Sequence, residues 1–257
     1  MRRMDVVVVG AGPAGLCFAR ALAGSGLQVG LVEVQPRQAL AQAALDGREI
    51  ALTHASRQSL EQLGLWQRLP DAEIAELRDA RVMNGGSPFA LTFASGQRDG
   101  QPLGWLVPSH LIRRAAWEAV QGQDGLELFD GRKVLAVQAD AQGHVVKLDD
   151  GSELHARLLV AADSRFSATR RMLGIGAQMR DFGKSMLVCR MRVGRDHHTP
   201  RGNGSATAAR WRCCRSMKAR PRPSSPCRRG RSRNCWRWTS WASARPSRRV
   251  SSTAWGR

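Results

Sequence analysis

Apolar and polar positions alternate along the first 190 residues in a way that predicts alternating strands and helices. Asp5 to Val9 is a β-branched run with no polar interruption, the pattern of a parallel strand buried on both faces. Gly10 to Gly15 predicts a turn, and Leu16 to Ser25 a helix that Gly26 ends. Val29 to Val34 predicts a second strand. Asp46 to Ser56 reads as a polar loop entering a helix that runs to about Leu63. From Leu77 to Leu106 alternation broken by NGGSP and SGQRDGQP predicts antiparallel strands. Pro108 to Gln121 predicts a helix, and Lys133 to Val137, His144 to Leu148 and Glu153 to Ala161 predict strands. Asp163 to Met172 reads as a loop entering a helix, and Ser185 to Val193 as one more strand.

Beyond about His198 the texture changes. Residues 201–257 contain no Leu, Ile or Phe, show no period and cannot supply a core. The net charge of +19 also belongs there: fifteen Arg, one Lys and no acid give this tail +16. The first 200 residues then hold 24 basic and 21 acidic side chains, an ordinary balance, so the body carries no nucleic-acid signature. Only Cys17 and Cys189 lie in the body, and no CxxC pair occurs, which reads as a reduced cytoplasmic protein without a zinc site. Cys17 reads as a small apolar filler, and Trp105 and Trp117 as core. No stretch approaches the ~20 apolar residues of a membrane span, and the four valines after Asp5 are too few for a signal sequence.

The tail admits two readings. A basic arm with interleaved Trp suits phosphates and stacked bases. The other reading is a coding sequence read out of register. Codons for EWFGYGRTLALLP, read one base later, give NGSATAARWRCCR, the string from Asn203 to Arg215. Codons for ELLALD give NCWRWT in the same way, the string from Asn234 to Thr239. Both reconstructions are apolar-patterned, as a strand and an amphipathic helix are. A frameshift near residues 199–203 is the expectation.

The strongest local motif is Gly10-Ala-Gly12-Pro13-Ala14-Gly15, set between a predicted strand and a predicted helix. The first Gly permits the tight turn, the second lets a pyrophosphate approach the backbone, and the third allows close helix–strand packing. The helix N-terminus offers free N–H groups to phosphate. Glu33 ends the second strand, where its carboxylate can accept from ribose hydroxyls and repel a 2′-phosphate. These residues form a dinucleotide site, best fitted to the ADP half of FAD.

Two further segments carry a resemblance. Leu159-Val-Ala-Ala-Asp163-Ser-Arg-Phe-Ser167-Ala-Thr-Arg170 resembles the second motif of FAD-dependent aromatic-ring monooxygenases, GADGxxSxxR. Ser164 stands where that family has Gly, so a positive φ there would be strained. DGREIALTHASR (46–57) followed by LEQLGLW is similar to the ubiquinone-biosynthesis hydroxylases, and with LGWLVPSHLIRRA the likeness is greatest to the demethoxyubiquinol hydroxylase branch. It spans about residues 4–198. It implies an α/β fold: an FAD/NAD(P)-binding Rossmann-like domain over 1–175 and an interleaved, incomplete β-sheet substrate domain with strands from 77–106 and a start at 176–198, to which the change of texture adds an out-of-frame, disordered tail over 199–257. It implies FAD as cofactor, held by Gly10, Gly12, Pro13, Ala14, Gly15, Glu33, Arg48, Val134 and Asp163. It also implies dioxygen and a prenylated quinol as reactants, with NAD(P)H as candidate electron donor and no nucleic acid. No catalytic acid or base is implied, and peripheral contact with a bacterial inner membrane or a biosynthetic complex stays open. His54 and Arg57 read as helix-start surface groups, with a flavin-side role the sharper alternative for His54. Ser109 is either a flavin contact or a plain N-cap. A later Gly-Asp motif for the flavin ring is absent before Arg257, so a truncated hydroxylase with an open flavin end is expected, one that holds FAD weakly or not at all and does not hydroxylate. Prenyl reductases and cyclases that also begin with an FAD fold remain alternatives.

The nucleotide sequence decides the origin of the tail. A one-base insertion or loss near codons 199–203 is the expected result, and an intact frame through codon 257 would reject it.

Overall fold

In the computed structural model the described residues are 2–83, 90–94, 100–181, 185–187 and 213–215. The chain divides into the units Met1–Met217 and Lys218–Arg257, and every described residue lies in the first.

Among the described residues the main sheet has six strands. They are β1 (Arg2–Val9), β2 (Val29–Glu33), β8 (Leu126–Asp130), β9 (Val134–Asp140), β10 (Gly143–Leu148) and β11 (Glu153–Ala161), in the order β8-β2-β1-β11-β10-β9. β1 lies parallel to both β2 and β11, β8 lies parallel to β2, and β10 is antiparallel to its two neighbours. The valine run of β1 is central because it can be buried twice. Val6 and Val8 face a cluster with Leu16, Ala19, Leu111 and Ala115, whereas Val7 and Val9 face one with Val134, Val146, Leu154 and Ala156. Two helices supply the first cluster, α1 (Pro13–Ala21) and α4 (Ser109–Val120), each with one apolar face. Cys17 packs against this cluster as an apolar side chain, and burial pushes its thiol pKa up.

β3 (Glu49–Leu52), β4 (Ala75–Leu77) and β7 (Gly104–Pro108) form a separate antiparallel sheet in the order β3-β7-β4. β5 (Asp79–Met83) and β6 (Ala90–Ala94) pair antiparallel, as expected for the region from Leu77 to Leu106. One expectation needs correction. Residues 46–56 are not all loop, because β7 supplies an antiparallel partner for Glu49–Leu52. β8 extends the sheet beyond β2, which lends Leu126–Asp130 a complete parallel ladder from Val29 to Glu33. Two short helices complete this part, α2 (Arg37–Ala41) and α3 (His54–Gln62), the latter capped by the Thr53 hydroxyl accepting from the Ser56 N–H.

β12 (Ser185–Leu187) lies within the expected strand 185–193, whose remainder is outside the described residues. It pairs antiparallel with β13 (Cys213–Arg215), so three residues of the segment expected to be disordered form a strand. A backbone ladder needs no apolar period. The rest of 199–257 lies outside the described residues.

Arg57 keeps 35% of its side chain exposed, and the rest stacks on aromatic rings. Its guanidinium stands 4.8 Å from the Trp66 ring centroid and 4.4 Å from that of Trp105, and it donates to Glu61 at 2.7 Å. Trp105 also meets His54 edge-on at 4.9 Å. This stack joins α3 to β7. Arg57→Ala should lower stability by about 1–2 kcal/mol in urea unfolding, with Arg57→Lys recovering only part because it lacks the planar stack.

Candidate functional site

The turn from β1 to α1 packs backbone on backbone. Gly10 has φ +104°, and a Cβ there would lie 2.5 Å from the Ala162 carbonyl oxygen at the end of β11. A Cβ on Gly15 would overlap the Gly10 carbonyl oxygen. Gly10 N–H donates to Val32 O at 2.8 Å, and Ala162 N–H to Val9 O at 2.8 Å, which locks the turn to both neighbouring strands.

Gly12 differs from both. Its φ of −71° and ψ of 176° suit any residue, and Pro13 after it favours that region. A Cβ on Gly12 would meet nothing within 4 Å. Neither packing nor conformation therefore requires glycine there, and the space in front of it is open. Gly12 is the N-cap of α1 and offers no side-chain cap. Leu16 N–H makes the first intrahelical bond, to Gly12 O at 2.9 Å, so the N–H groups of Ala14 and Gly15 have no intrahelical acceptor. Pro13 has no N–H to satisfy. An open backbone floor beside an uncapped helix N-terminus suits a pyrophosphate.

Glu33 ends β2 beside this turn. Its Oε2 accepts from Ala11 N–H at 2.7 Å and its Oε1 from Gln35 N–H at 2.9 Å. Each oxygen keeps a lone pair, so the carboxylate is held in place and can still accept from a ribose hydroxyl. Val134 opens β9 with its side chain buried at 7% exposure in the second core cluster, which leaves only its backbone to face a ligand.

Asp163 follows β11. Its carboxylate accepts from the Ser167 hydroxyl and, at 3.0 Å each, from the Thr169 N–H and hydroxyl. Ser167 in turn caps α5 (Ala168–Met172), its hydroxyl accepting from Arg170 N–H at 2.9 Å. Burial alone would raise the Asp163 pKa, but these bonds outweigh it and hold the carboxyl below the ordinary aspartate range. Ser164 has φ +107°, the one non-glycine residue with positive φ among the described residues, and this is the strain its place in the motif predicts.

Arg48 lies on the segment before β3, with Asp46 Oδ2 accepting from its Nε at 2.9 Å and Nη2 at 2.7 Å. Among the described residues no hydrogen bond joins Arg48 to the 10–15 turn or to Asp163. Ser109 is the first residue of α4, not its N-cap; Pro108 holds that position, and the Ser109 hydroxyl turns to Asp46 instead. Arg113, one turn further along α4, was not singled out from the sequence; its Nη2 donates to Ala44 O at 2.6 Å and stands 3.5 Å from Asp46. Its spacing of four from Ser109 was the available signal. His54 bonds Pro102 O through Nε2 at 2.7 Å, a structural use.

The family described as "FAD binding domain" matches residues 3–249. The chain belongs to that family. Its fold is the α/β, Rossmann-like FAD-binding fold. Over 192 residues it is 49% identical to the ubiquinone hydroxylase UbiM of Neisseria meningitidis, covering 73% of this chain and 42% of that protein. Over 193 residues it is 34% identical to the ubiquinone hydroxylase UbiL of Rhodospirillum rubrum, covering 75% of this chain and 44% of the relative. Among solved structures it is similar to PqsL, a probable FAD-dependent monooxygenase from Pseudomonas aeruginosa, with a TM-score of 0.59 and 26% identity over 73% of this chain and 50% of that one. The chain thus spans less than half the length of the two curated relatives. No helix among the described residues is long and apolar enough to cross a membrane.

The lowered Asp163 pKa sets a sign. The carboxylate clamp is fully present above the ordinary aspartate pKa and is lost as pH falls below about 4 through the lowered value. Asp163→Asn should cost on the order of 1–3 kcal/mol at neutral pH. It should also flatten the acid limb of the stability–pH curve, measured by urea midpoints from pH 3 to 7.

Proposed function

We propose that this chain carries the ADP-binding end of a flavin-dependent monooxygenase that hydroxylates the ring of a prenylated quinol on the way to ubiquinone. Gly12 carries the reading. A glycine that neither packing nor backbone conformation explains, in front of uncapped N–H groups, is explained by a ligand phosphate. Glu33 takes the adenosine ribose, the Val134 backbone borders the adenine, and Asp163 contributes from the end of β11 as the clamp on α5. Arg48 reaches the part of FAD beyond ADP. FAD, when bound and reduced, activates dioxygen for transfer to an electron-rich ring. The chain's own residues bind and orient it.

Three finer assignments belong to the same proposal. NAD(P)H serves as the two-electron donor. The division into 1–175, 176–198 and an out-of-frame 199–257 follows the sequence pattern. The protein is cytoplasmic and touches the membrane that holds its prenylated substrate. Exposed Phe166, Ile175 and Met179 beside Arg165, Arg171 and Arg180 suit contact with an anionic lipid surface. The strong likeness to two ubiquinone hydroxylases supports the substrate class. With a span under half of those relatives, hydroxylation is assigned to the whole protein.

Gly12→Ala separates ligand binding from folding. Its Cβ meets no atom of the chain within 4 Å, so the urea midpoint should move by less than about 0.5 kcal/mol. ADP and FAD affinity, read by calorimetry, should fall at least about tenfold. Equal binding by Gly12→Ala and the wild type would reject the site.

A further inference from the structure

Asp46 is the hub of a charged cluster that no part of the nucleotide site accounts for. Its Oδ2 accepts from both Nε and Nη2 of Arg48, and its Oδ1 accepts from the Arg48 N–H at 3.1 Å. Arg113 of α4 stands 3.5 Å from the same Oδ2 and is anchored by its bond to Ala44 O. The Ser109 hydroxyl also bonds Asp46, and Ser109 N–H donates to Arg48 O at 2.9 Å. Two segments far apart in sequence, 44–48 and 109–113, are thereby joined through one carboxylate.

Exposure separates the roles. The Asp46 and Arg113 side chains are 23% and 29% exposed, whereas Arg48 is 65% exposed. An exposed arginine ordinarily samples many rotamers, and ordering it costs about 2 kcal/mol. Here its fork is tied at one edge by Nε and Nη2, and no hydrogen bond among the described residues ties the other edge. Two guanidiniums around one carboxylate also leave a net positive charge. The buried Arg113 Nε has no hydrogen-bond partner among the described residues, so Arg113 is held by its Nη2 and by packing rather than by a full set of bonds.

We infer that Asp46 is a positioning residue: it presents the open edge of Arg48 to the part of FAD beyond ADP, with Arg113 and Ser109 holding Asp46 against α4. This rests on the proposal that Arg48 contacts the cofactor. Burial opposes the Asp46 charge, but the Arg48 and Ser109 bonds outweigh it and hold its pKa below the ordinary range, so the clamp is charged throughout the neutral range.

The test compares two ligands on the full chain, FAD and ADP, by calorimetry. Asp46→Asn should weaken FAD about tenfold and leave ADP within about twofold. Arg48→Gln should do the same, and the double variant should be no worse than Arg48→Gln alone, because Asp46 acts through Arg48. A brace that merely holds the loop would instead lower the urea midpoint equally in both backgrounds and shift both ligands together, which overturns the inference. Unchanged FAD affinity in Asp46→Asn, with binding still dependent on Gly12, overturns it while the nucleotide site stands. Binding of neither ligand in a Gly12-dependent way overturns both.

Discussion

The carbonyl oxygens of Gly10 and Ala162 stand where side-chain carbons would have to be, and the nucleotide end of the fold depends on that contact. Because Gly15 lies on Gly10 and Gly10 lies on Ala162, α1 sits directly on the C-terminal ends of β1 and β11. Hydrogen bonds from Gly10 to Val32 and from Ala162 to Val9 fix the same point to β2. Three strands and a helix therefore share one turn. Once they do, the uncapped N-terminus of α1, the Glu33 carboxylate and the Asp163 turn come together at one edge of the sheet.

Polar side chains at that edge work mainly on the protein itself. Glu33 holds the 10–15 turn through Ala11, and Asp163 ties its own loop to α5 through three donors. Such groups are preorganised before any ligand arrives, which lowers the ordering cost of binding. Gly12 is the exception, since it does nothing for the chain that another residue could not do. The strain at Ser164 belongs to the same edge; the surrounding bonds hold a serine at φ +107°, and its hydroxyl accepts from Phe166 N–H at 3.3 Å as partial compensation.

Charge divides along the chain in a way that matters for interpretation. The excess of Arg lies after residue 200, while the cofactor end uses single, paired charges such as Asp46 with Arg48 and Arg113. A global charge of +19 therefore says little about the chemistry of the site.

The sequence by itself determined the parts of this protein that depend on local rules. A valine run reads as a doubly buried strand, and GAGPAG after it reads as a turn into a helix, because both follow from the sterics of neighbouring residues. The positive φ at Ser164 was legible for the same reason. Tertiary structure decided what depends on a distant partner. Glu49–Leu52 is a strand only because β7 lies beside it, and Leu126–Asp130 only because β2 does. Arg57 looked like a surface charge until folding brought Trp66 and Trp105 against it. The Ser109 hydroxyl became a ligand of Asp46 rather than a helix cap, and Arg113 entered the site, because α4 meets a segment more than sixty residues earlier. Pairing energies of that kind are set by three-dimensional proximity, which no window of sequence contains.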